Sequence, residues 1–435
     1  MKLFVTRSTK FIAFFHFLFD LELNLGVVEN FRKANPPLSS ILVLSKENVF
    51  MPKFQGVVHS KLPNTGTTIF TVMSKLASEV GAINLSQGFP DFPCSEELIS
   101  LVNQSMRKGF NQYAPMPGLL ELRETIAEKI QNAYSAVYHP ETEITITSGG
   151  TQALYTAIAA MVKEGDEVIL FEPAYDSYAA AVELSGGIPI YIQLKAPDFH
   201  IDWNEVKKMI RQKTKMIIIN TPHNPASAVL SAQDMLQLEK ITKNTDIVIL
   251  SDEVYEHLIF DGLEHQSVMR FPKLAERSFV VFSFGKTLHV TGWKMGYIVG
   301  PENLMKEFRK VHQFNVFSAN HPFQWAINEF LKNKENYNYL PRFFQEKRDL
   351  FLQLTKGSRF KPLECKGSYF QLMTYKEITE EKDTDFAVRL TKDYGVASIP
   401  ISVFYHKPVD NKLLRFCFAK QNETLEKAAE KLCRV

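Results

Sequence analysis

The sequence predicts an α/β protein with a large domain, in which a mostly parallel sheet lies between helices, and a small α/β domain built from both chain ends. Two observations support this prediction. Short apolar runs at 144–147, 168–171, 216–219 and 247–250 alternate with longer amphipathic segments, which is the pattern of strands and crossover helices. The chain also has 435 residues, of which 45% are hydrophobic and 23% charged, enough for a large buried core.

The helical pattern is clearest between residues 119 and 131. Apolar residues recur there three or four positions apart from Leu119 to Ile130, with charged residues on the opposite face. Beyond Asn333 we expect a long helix between the domains. The segments we predict are an N-terminal extension (1–57), the first part of the small domain (58–98), the large domain (99–335) and the second part of the small domain (336–435).

The N-terminal extension does not share the α/β pattern. Its phenylalanine-rich run at 11–19 is shorter than a membrane span, contains His16 and continues into Asp20 and Glu22 without a cleavage site of small residues. We therefore expect neither a membrane anchor nor a signal peptide. Met51 is a candidate for the true start of the protein, which would leave residues 1–50 untranslated.

Charge and cysteine content exclude several classes of function. The formal net charge is only +2, and the basic cluster at 207–213 is typical of the solvated face of a helix, so we expect no nucleic-acid partner. The chain has four scattered cysteines without metal-ligand spacing, so we expect no metal site and a reduced, cytoplasmic location.

Lys286 is the first candidate for chemistry. It follows an apolar run that ends at Ser283, and it precedes a turn flanked by glycine. A lysine amine can condense with an aldehyde, be displaced by another amine and then carry a proton. Taken alone, the segment could equally be an ordinary strand end.

Polar residues also follow the two preceding apolar runs. Asp252 and Tyr255 come after the run at 247–250, and Asn224 comes after the run at 216–219. A carboxylate at the carboxyl end of a parallel strand can hold a protonated ring nitrogen, whereas an amide and a phenol can donate to a phenolate oxygen. The alternatives are that Asp252 caps a helix and that Asn224 only starts a turn.

A phosphate-binding turn is predicted at 148–151, where small residues lie between a strand and an alanine-rich helix. The backbone N–H groups of Gly149 and Gly150 and the hydroxyl of Thr151 would face the anion at the helix start. Ser283 and Lys294 would complete the cradle, with Lys294 supplying positive charge.

Four further blocks, at 84–92, 111–118, 172–176 and 413–416, combine with these motifs into a family resemblance. In order, spacing and residue type, the region from about residue 60 to the C-terminus resembles the class I and II aminotransferases, which depend on pyridoxal phosphate (PLP) and have fold type I. It most closely resembles the methionine, glutamine and kynurenine aminotransferase subgroup.

The resemblance implies a role for each candidate residue. Lys286 would form the Schiff base with PLP and shuttle the proton, and Asp252 would hold the pyridine nitrogen. Asn224 and Tyr255 would contact the phenolate oxygen. The remaining cofactor contacts would be a stacking ring from Tyr175, a phosphate cradle from Gly149, Gly150, Thr151, Ser283 and Lys294, and Tyr113 from the neighbouring subunit.

Substrate binding is implied in the same way. Arg415 would clamp the α-carboxylate with its planar guanidinium, Asn224 would assist, and Gly88 would let the backbone approach the substrate. Because Tyr113 would act across a subunit boundary, the resemblance implies a homodimer. Two departures are that Lys294 replaces the arginine common in the family, and that residues 225–228 read Pro-Ala-Ser-Ala where Pro-Thr-Gly is usual.

The resemblance also suggests the substrates, an amino acid and a 2-oxo acid. The block at 65–70 would line the pocket, and its apolar end favours a large uncharged donor such as methionine, an aromatic amino acid, glutamine or kynurenine. A carbon–sulfur β-lyase on the same fold would use the same cofactor residues and stays an alternative. More remote alternatives are a regulator that senses PLP and a binding protein without catalysis.

Overall fold

The computed structural model describes residues 52–435, so the phenylalanine-rich run and the candidate start at Met51 lie outside the described residues. Residues 52–59 carry no helix or strand. Residues 60–435 form one compact unit. Within residues 52–435, no helix is both long and apolar enough to cross a membrane.

The helices are distributed along the whole described chain. Their bounds are α1 (Ile69–Val80), α2 (Glu96–Arg107), α3 (Leu120–Tyr134), α4 (Gly150–Met161), α5 (Ser177–Leu184), α6 (Trp203–Met209), α7 (Ala232–Thr242), α8 (Pro272–Ala275), α9 (Phe284–Thr287), α10 (Glu302–Asn315), α11 (His321–Leu331), α12 (Glu335–Asn338), α13 (Leu340–Thr355), α14 (Asp383–Asp393) and α15 (Asn422–Leu432). The expected long helix beyond Asn333 is α13, which follows the short α12.

Apart from β1, the strands fall into a central group and a C-terminal group. Their bounds are β1 (Ile83–Asn84), β2 (Ile144–Thr147), β3 (Glu167–Glu172), β4 (Ile188–Gln193), β5 (Thr214–Asn220), β6 (Val248–Asp252), β7 (Ser278–Ser283), β8 (Gly296–Val299), β9 (Lys361–Pro362), β10 (Phe370–Thr374), β11 (Val396–Ala397), β12 (Ile399–Pro400) and β13 (Leu413–Cys417).

A seven-stranded central sheet has the order β2-β8-β7-β6-β5-β3-β4. Only β8 runs against its neighbours, since it pairs antiparallel with β2 and β7, whereas the pairs from β7 to β4 are parallel. Successive residues of β5 enter different cores: Ile217 and Ile219 pack in one, Met216 and Ile218 in the other. This alternation gives the sheet two buried faces, so the predicted fold class is confirmed.

The parallel register brings the polar strand ends to one edge of the sheet. Asn220 at the end of β5 lies opposite Asp252 at the end of β6. Asp252 lies opposite Val281 in β7, which ends two residues later at Ser283. Ligands bind at this edge in open α/β sheets, and here the chain places its amide, carboxylate and lysine side chains.

Two smaller sheets involve the ends of the region. Strand β1 pairs parallel with β11, more than 300 residues later, and β12, β13, β10 and β9 form a four-stranded sheet. The internal domain boundaries at 98/99 and 335/336 stay predictions. The basic cluster at 207–213 lies at the end of α6 and beyond it, and all of its lysine and arginine side chains are exposed, as the sequence predicts.

Candidate active site

A cavity of about 210 Å³ lies at the edge where β5, β6 and β7 end. Its walls include every predicted cofactor contact except Tyr113. These are Gly149, Gly150, Thr151, Tyr175, Asn224, Asp252, Tyr255, Ser283, Lys286 and Lys294. The fold therefore collects into one cavity residues that are spread over almost 150 positions of the chain.

Lys286 lies in the single turn of α9, directly after β7. Its Nζ donates to the hydroxyl of Tyr369 at 2.7 Å and to the carbonyl of Gly88 at 3.1 Å. Burial disfavours the charged ammonium and lowers the pKa of Lys286 to about 8. An amine with this pKa is partly unprotonated near neutral pH, which a nucleophile and proton carrier requires.

Asp252 is the last residue of β6 and is only 4% exposed. Its Oδ2 accepts a hydrogen bond from the Tyr178 hydroxyl at 2.6 Å, and its Oδ1 accepts from the Val254 N–H at 3.3 Å. Burial raises the pKa of Asp252 to about 6, against the opposing effect of the Tyr178 bond. The helix-cap alternative is wrong, because a turn follows Asp252 and the next helical segment in the described chain begins at Val268.

Arg415 enters the site from β13 and is 1% exposed. Its Nη1 donates to Asn224 Oδ1 at 2.6 Å, and its Nη2 donates to the Ser86 carbonyl at 3.0 Å. Its Nε is buried without a hydrogen-bond partner in the described part of the protein. Burial lowers the pKa of Arg415 to about 10, so the guanidinium stays charged near neutral pH. A buried donor of this kind favours an anionic ligand.

Asn224 is held from two sides. Its backbone N–H donates to Asn220 Oδ1 at 2.7 Å, whereas its own Oδ1 accepts from Arg415. Because the amide oxygen is occupied, the amide nitrogen is left as the donor group at the cavity wall. The segment does form a turn, as the alternative reading expected, but the side chain also belongs to the site.

The predicted phosphate turn opens helix α4. Gly149 has φ +81°, a conformation that favours glycine, and α4 begins at Gly150. Gly296 packs so closely that a Cβ there would lie 3.1 Å from Gly150 N and from the carbonyl carbon of Gly149. Lys294 also has a left-handed backbone, at φ +54°, and lies against Gly149. Free N–H groups of a first helical turn and a lysine suit a phosphate.

Two tyrosines line the rest of the cavity. Tyr255 is buried, its ring lies 5.1 Å from that of Tyr369, and burial raises the pKa of its hydroxyl. The hydroxyl of Tyr175 lies 3.4 Å from that of Thr151, and its ring meets Tyr178 edge-on at 5.7 Å. Both phenols therefore stay protonated near neutral pH and can act as donors.

Gly88, Tyr113 and Arg415 lie outside the cavity wall, although Arg415 contacts it through Asn224. The carbonyl of Gly88 contacts Lys286 and Tyr369, and a Cβ at this position would lie only 2.8 Å from Phe370 Cζ. The close approach predicted for Gly88 thus involves this chain's own side chains. Tyr113 is 82% exposed and meets the ring of Phe317 edge-on at 5.3 Å.

Sequence reasoning missed three polar side chains of the site. Tyr178 holds Asp252, Tyr369 holds Lys286, and Asn220 donates to the Asp252 carbonyl at 2.9 Å. Asn220 had a usable signal, since it is the first polar residue after an apolar strand. Tyr178 and Tyr369 lie in apolar surroundings and had none.

Comparison with known proteins agrees with this geometry. The sequence profile of the family described as aminotransferase class I and II matches residues 80–432. The chain belongs to this family. Methionine aminotransferase of Escherichia coli (strain K12) is 46% identical over 377 residues, covering 86% of this chain and 98% of the relative. Kynurenine–oxoglutarate transaminase 1 of Homo sapiens is 32% identical over 393 residues, covering 82% of this chain and 93% of the relative.

Solved structures are similar over the same region of this aminotransferase. An Escherichia coli protein with methionine aminotransferase function superposes with a TM-score of 0.86 at 46% identity, covering 87% of this chain and 100% of that one. The structure of N-succinyldiaminopimelate aminotransferase from Mycobacterium tuberculosis superposes with a TM-score of 0.84 at 34% identity. It covers 87% of this chain and 100% of that one. The predictions of a fold-type I aminotransferase that depends on PLP are confirmed.

The site has the donor set that PLP requires. A glycine turn and a lysine meet at the start of α4, an acid lies at the end of β6, and Lys286 lines the same cavity. These groups suit a phosphate, a pyridinium nitrogen and an aldehyde. Within residues 52–435, no cluster of three or more His, Cys, Asp or Glu side chains could hold a metal ion.

Proposed function

We propose that this aminotransferase transfers the amino group of a large uncharged L-amino acid, such as methionine, an aromatic amino acid, glutamine or kynurenine, to a 2-oxo acid. The observation that carries the proposal is the surroundings of Arg415. The rings of Phe370, Phe70 and Phe404 lie 3.9, 5.3 and 5.4 Å from its guanidinium carbon. A substrate whose carboxylate pairs with Arg415 would meet these apolar rings with its side chain.

Arg415 would bind the substrate carboxylate through its planar fork. Asn224 and the Ser86 carbonyl fix the plane of the guanidinium and occupy two of its N–H groups. The buried Nε has an unused N–H, which is available to a carboxylate oxygen. The names of the methionine and kynurenine relatives support the same substrate class.

The cofactor would be held by the residues that line the cavity. Gly149, Gly150, Thr151, Ser283 and Lys294 would bind its phosphate, which agrees with the glycine turn at the start of α4. Lys294 keeps the positive charge that an arginine would supply, although as a point charge rather than a fork.

The other cofactor contacts would come from four side chains at the strand ends. Asp252 would pair with the ring nitrogen, Asn224 and Tyr255 would donate to the phenolate oxygen, and Tyr175 would cover the ring. When bound, PLP supplies an electron sink for the pair of electrons of the substrate Cα–H bond.

Lys286 would carry the proton. A pKa lowered to about 8 leaves part of the amine unprotonated near neutral pH, so that Nζ can accept the proton from the substrate Cα and return it later. Asp252, Lys286 and Tyr255 would be the catalytic side chains. The surrounding aromatic rings would keep water away from these proton transfers.

Assembly and location are part of the proposal. Tyr113 is exposed beside Phe317, which is itself 44% exposed, and such a surface suits the second subunit of a homodimer. Tyr113 would then reach the cofactor phosphate of the partner. The cysteines are free, and two of them are buried, which supports a reducing, cytoplasmic location.

The experiment is a donor scan on the purified full chain with added PLP. Methionine, phenylalanine, glutamine, kynurenine and aspartate are each supplied with a 2-oxo acid, and the new amino acid is quantified. We expect product from the uncharged donors and little from aspartate. Product from aspartate alone would refute the proposed substrate class, and pyruvate with ammonia from a cysteine conjugate would favour the β-lyase.

The same assay tests the role of Lys286. We expect Lys286→Ala to lose at least about a thousandfold in kcat, because nucleophile and proton carrier disappear together. Lys310→Ala is the matched control, since this exposed lysine lies in α10 and pairs with Glu307 on the same helix. Equal activity of the two variants would mean that another lysine does the chemistry.

A further inference from the structure

Tyr369 contacts the reacting amine although it lies 83 residues from Lys286. It directly precedes β10, its ring is fully buried, and it packs against the rings of Tyr255, Phe370 and Phe344 at 5.1, 4.9 and 5.9 Å. Its hydroxyl lies 2.7 Å from Lys286 Nζ and donates to the carbonyl of Gly88. The packing leaves the hydroxyl little freedom to move away from the amine.

The direction of these hydrogen bonds follows from the groups themselves. A backbone carbonyl can only accept, so the single proton of the Tyr369 hydroxyl points to Gly88. The lone pairs of the same oxygen therefore face Lys286 Nζ, which also donates to Gly88 at 3.1 Å. The amine is thus held by two oxygen acceptors, one of which is fixed in orientation by the other.

We propose that Tyr369 is a further catalytic residue, which holds the free Lys286 amine beside the substrate and stabilises the ammonium that forms during proton transfer. The proposal rests on the role of Lys286 in the proposed function. The amine is free whenever a substrate amine has displaced it from the cofactor.

The substrate Cα–H bond breaks, its proton forms a new N–H bond on Lys286 Nζ, and its electron pair stays on the substrate side, where bound PLP supplies the sink. The new ammonium lies in a buried site with few partners of its own. Hydrogen bonds to Tyr369 Oη and the Gly88 carbonyl offset part of that cost, and they keep Nζ in place for the return of the proton.

The test replaces Tyr369 with Phe, which removes the hydroxyl and keeps the ring. The matched control is Tyr375→Phe. Tyr375 directly follows β10, is equally buried and donates only to the Glu381 carbonyl, at 3.0 Å. Both variants lose one buried hydroxyl near the same strand, so a purely structural effect should appear in both.

Two readouts are taken on the full chain. The first is steady-state kinetics with methionine and α-deuterated methionine in the presence of PLP. The second is the pH dependence with which dilute acetic anhydride acetylates Lys286 in the cofactor-free protein, followed by peptide mass spectrometry. Only the unprotonated amine reacts, so the midpoint of this curve reports its pKa.

We expect Tyr369→Phe to lower kcat about 10- to 100-fold, to change KM about twofold or less, and to increase the deuterium isotope effect. The acetylation midpoint, about 8 in the unmodified protein, should fall by about one unit, because the ammonium loses an acceptor. Tyr375→Phe should change none of these values.

An unchanged midpoint with kcat within about twofold of the unmodified enzyme would overturn the proposal, as would equal losses in both variants. Failure of the proposed function looks different: the unmodified enzyme would then form no product from methionine, or Lys286→Ala would remain active. If Lys286→Ala is inactive and Tyr369→Phe is fully active, only the role of Tyr369 is refuted.

Discussion

Replacing Asp252 with Asn should stabilise the cofactor-free protein at pH 8 while it abolishes most of the activity. Burial raises the pKa of Asp252 from 3.8 to about 6. The folded state therefore binds this proton more tightly than the unfolded state, so stability falls as the pH rises from about 4 to about 6. At about 1.36 kcal/mol per pKa unit, the charged carboxylate costs about 3 kcal/mol at pH 8 and roughly half of that at pH 5.

The Asn side chain is nearly isosteric and keeps an oxygen that can accept from Tyr178. Chemical denaturation of both proteins at pH 5 and pH 8, at one protein concentration, measures the gain. Asp261→Asn is the control with the opposite sign, because Arg348 holds the pKa of Asp261 below its usual value, so this variant should lose stability at pH 8. A loss of stability in Asp252→Asn at pH 8 would refute the reasoning. So would a gain at pH 5 that equals the gain at pH 8.

Three further predictions concern Arg415, Gly88 and Tyr113. Arg415→Lys should raise the KM values for amino acid and 2-oxo acid about 10- to 100-fold in steady-state assays, because the fork proposed to bind the carboxylate is lost. Gly88→Ala should lower the free energy of unfolding by about 1–3 kcal/mol, since its Cβ would lie 2.8 Å from Phe370 Cζ; denaturant titration measures this loss. Tyr113→Phe should weaken PLP binding about tenfold by equilibrium dialysis without changing the stability of the fold, and unaltered affinity would count against a contact across the dimer.

Site residues could be predicted from the sequence wherever a chemically suitable side chain directly follows a periodic apolar strand. Asp252 and Ser283 end buried strands, and the parallel register brings such ends together, so strand reading alone placed them at one edge. Gly149 could be recognised because a turn between a strand and a helix needs a residue with positive φ. The central sheet could be predicted for the same reason, since its strands are short apolar runs.

The site residues that the sequence did not indicate reach the site through contacts between segments that are distant in the chain. Tyr369 reaches Lys286 because β10 belongs to a separate sheet that packs beside the edge, and no local pattern encodes that approach. Tyr178 lies on α5, whose residues are apolar nearly all round, so its single polar atom gave no periodic signal. Local periodicity identifies strands and helices, whereas contacts between sheets follow from packing of the whole chain.

The shifted pKa values of three charged side chains in the site have one shared cause, which is burial. Burial raises the pKa of Asp252 and lowers those of Lys286 and Arg415, because each charge lies in the interior with few partners. A ligand that presents a cation to Asp252 supplies the missing partner and removes the cost of its charge. Saturating PLP should therefore stabilise the unmodified protein more than Asp252→Asn, and should reverse their order of stability at pH 8. Thermal denaturation with and without PLP measures this reversal. If Asp252→Asn stays the more stable protein at saturating PLP, Asp252 does not pair with the cofactor, and its buried charge would need another explanation.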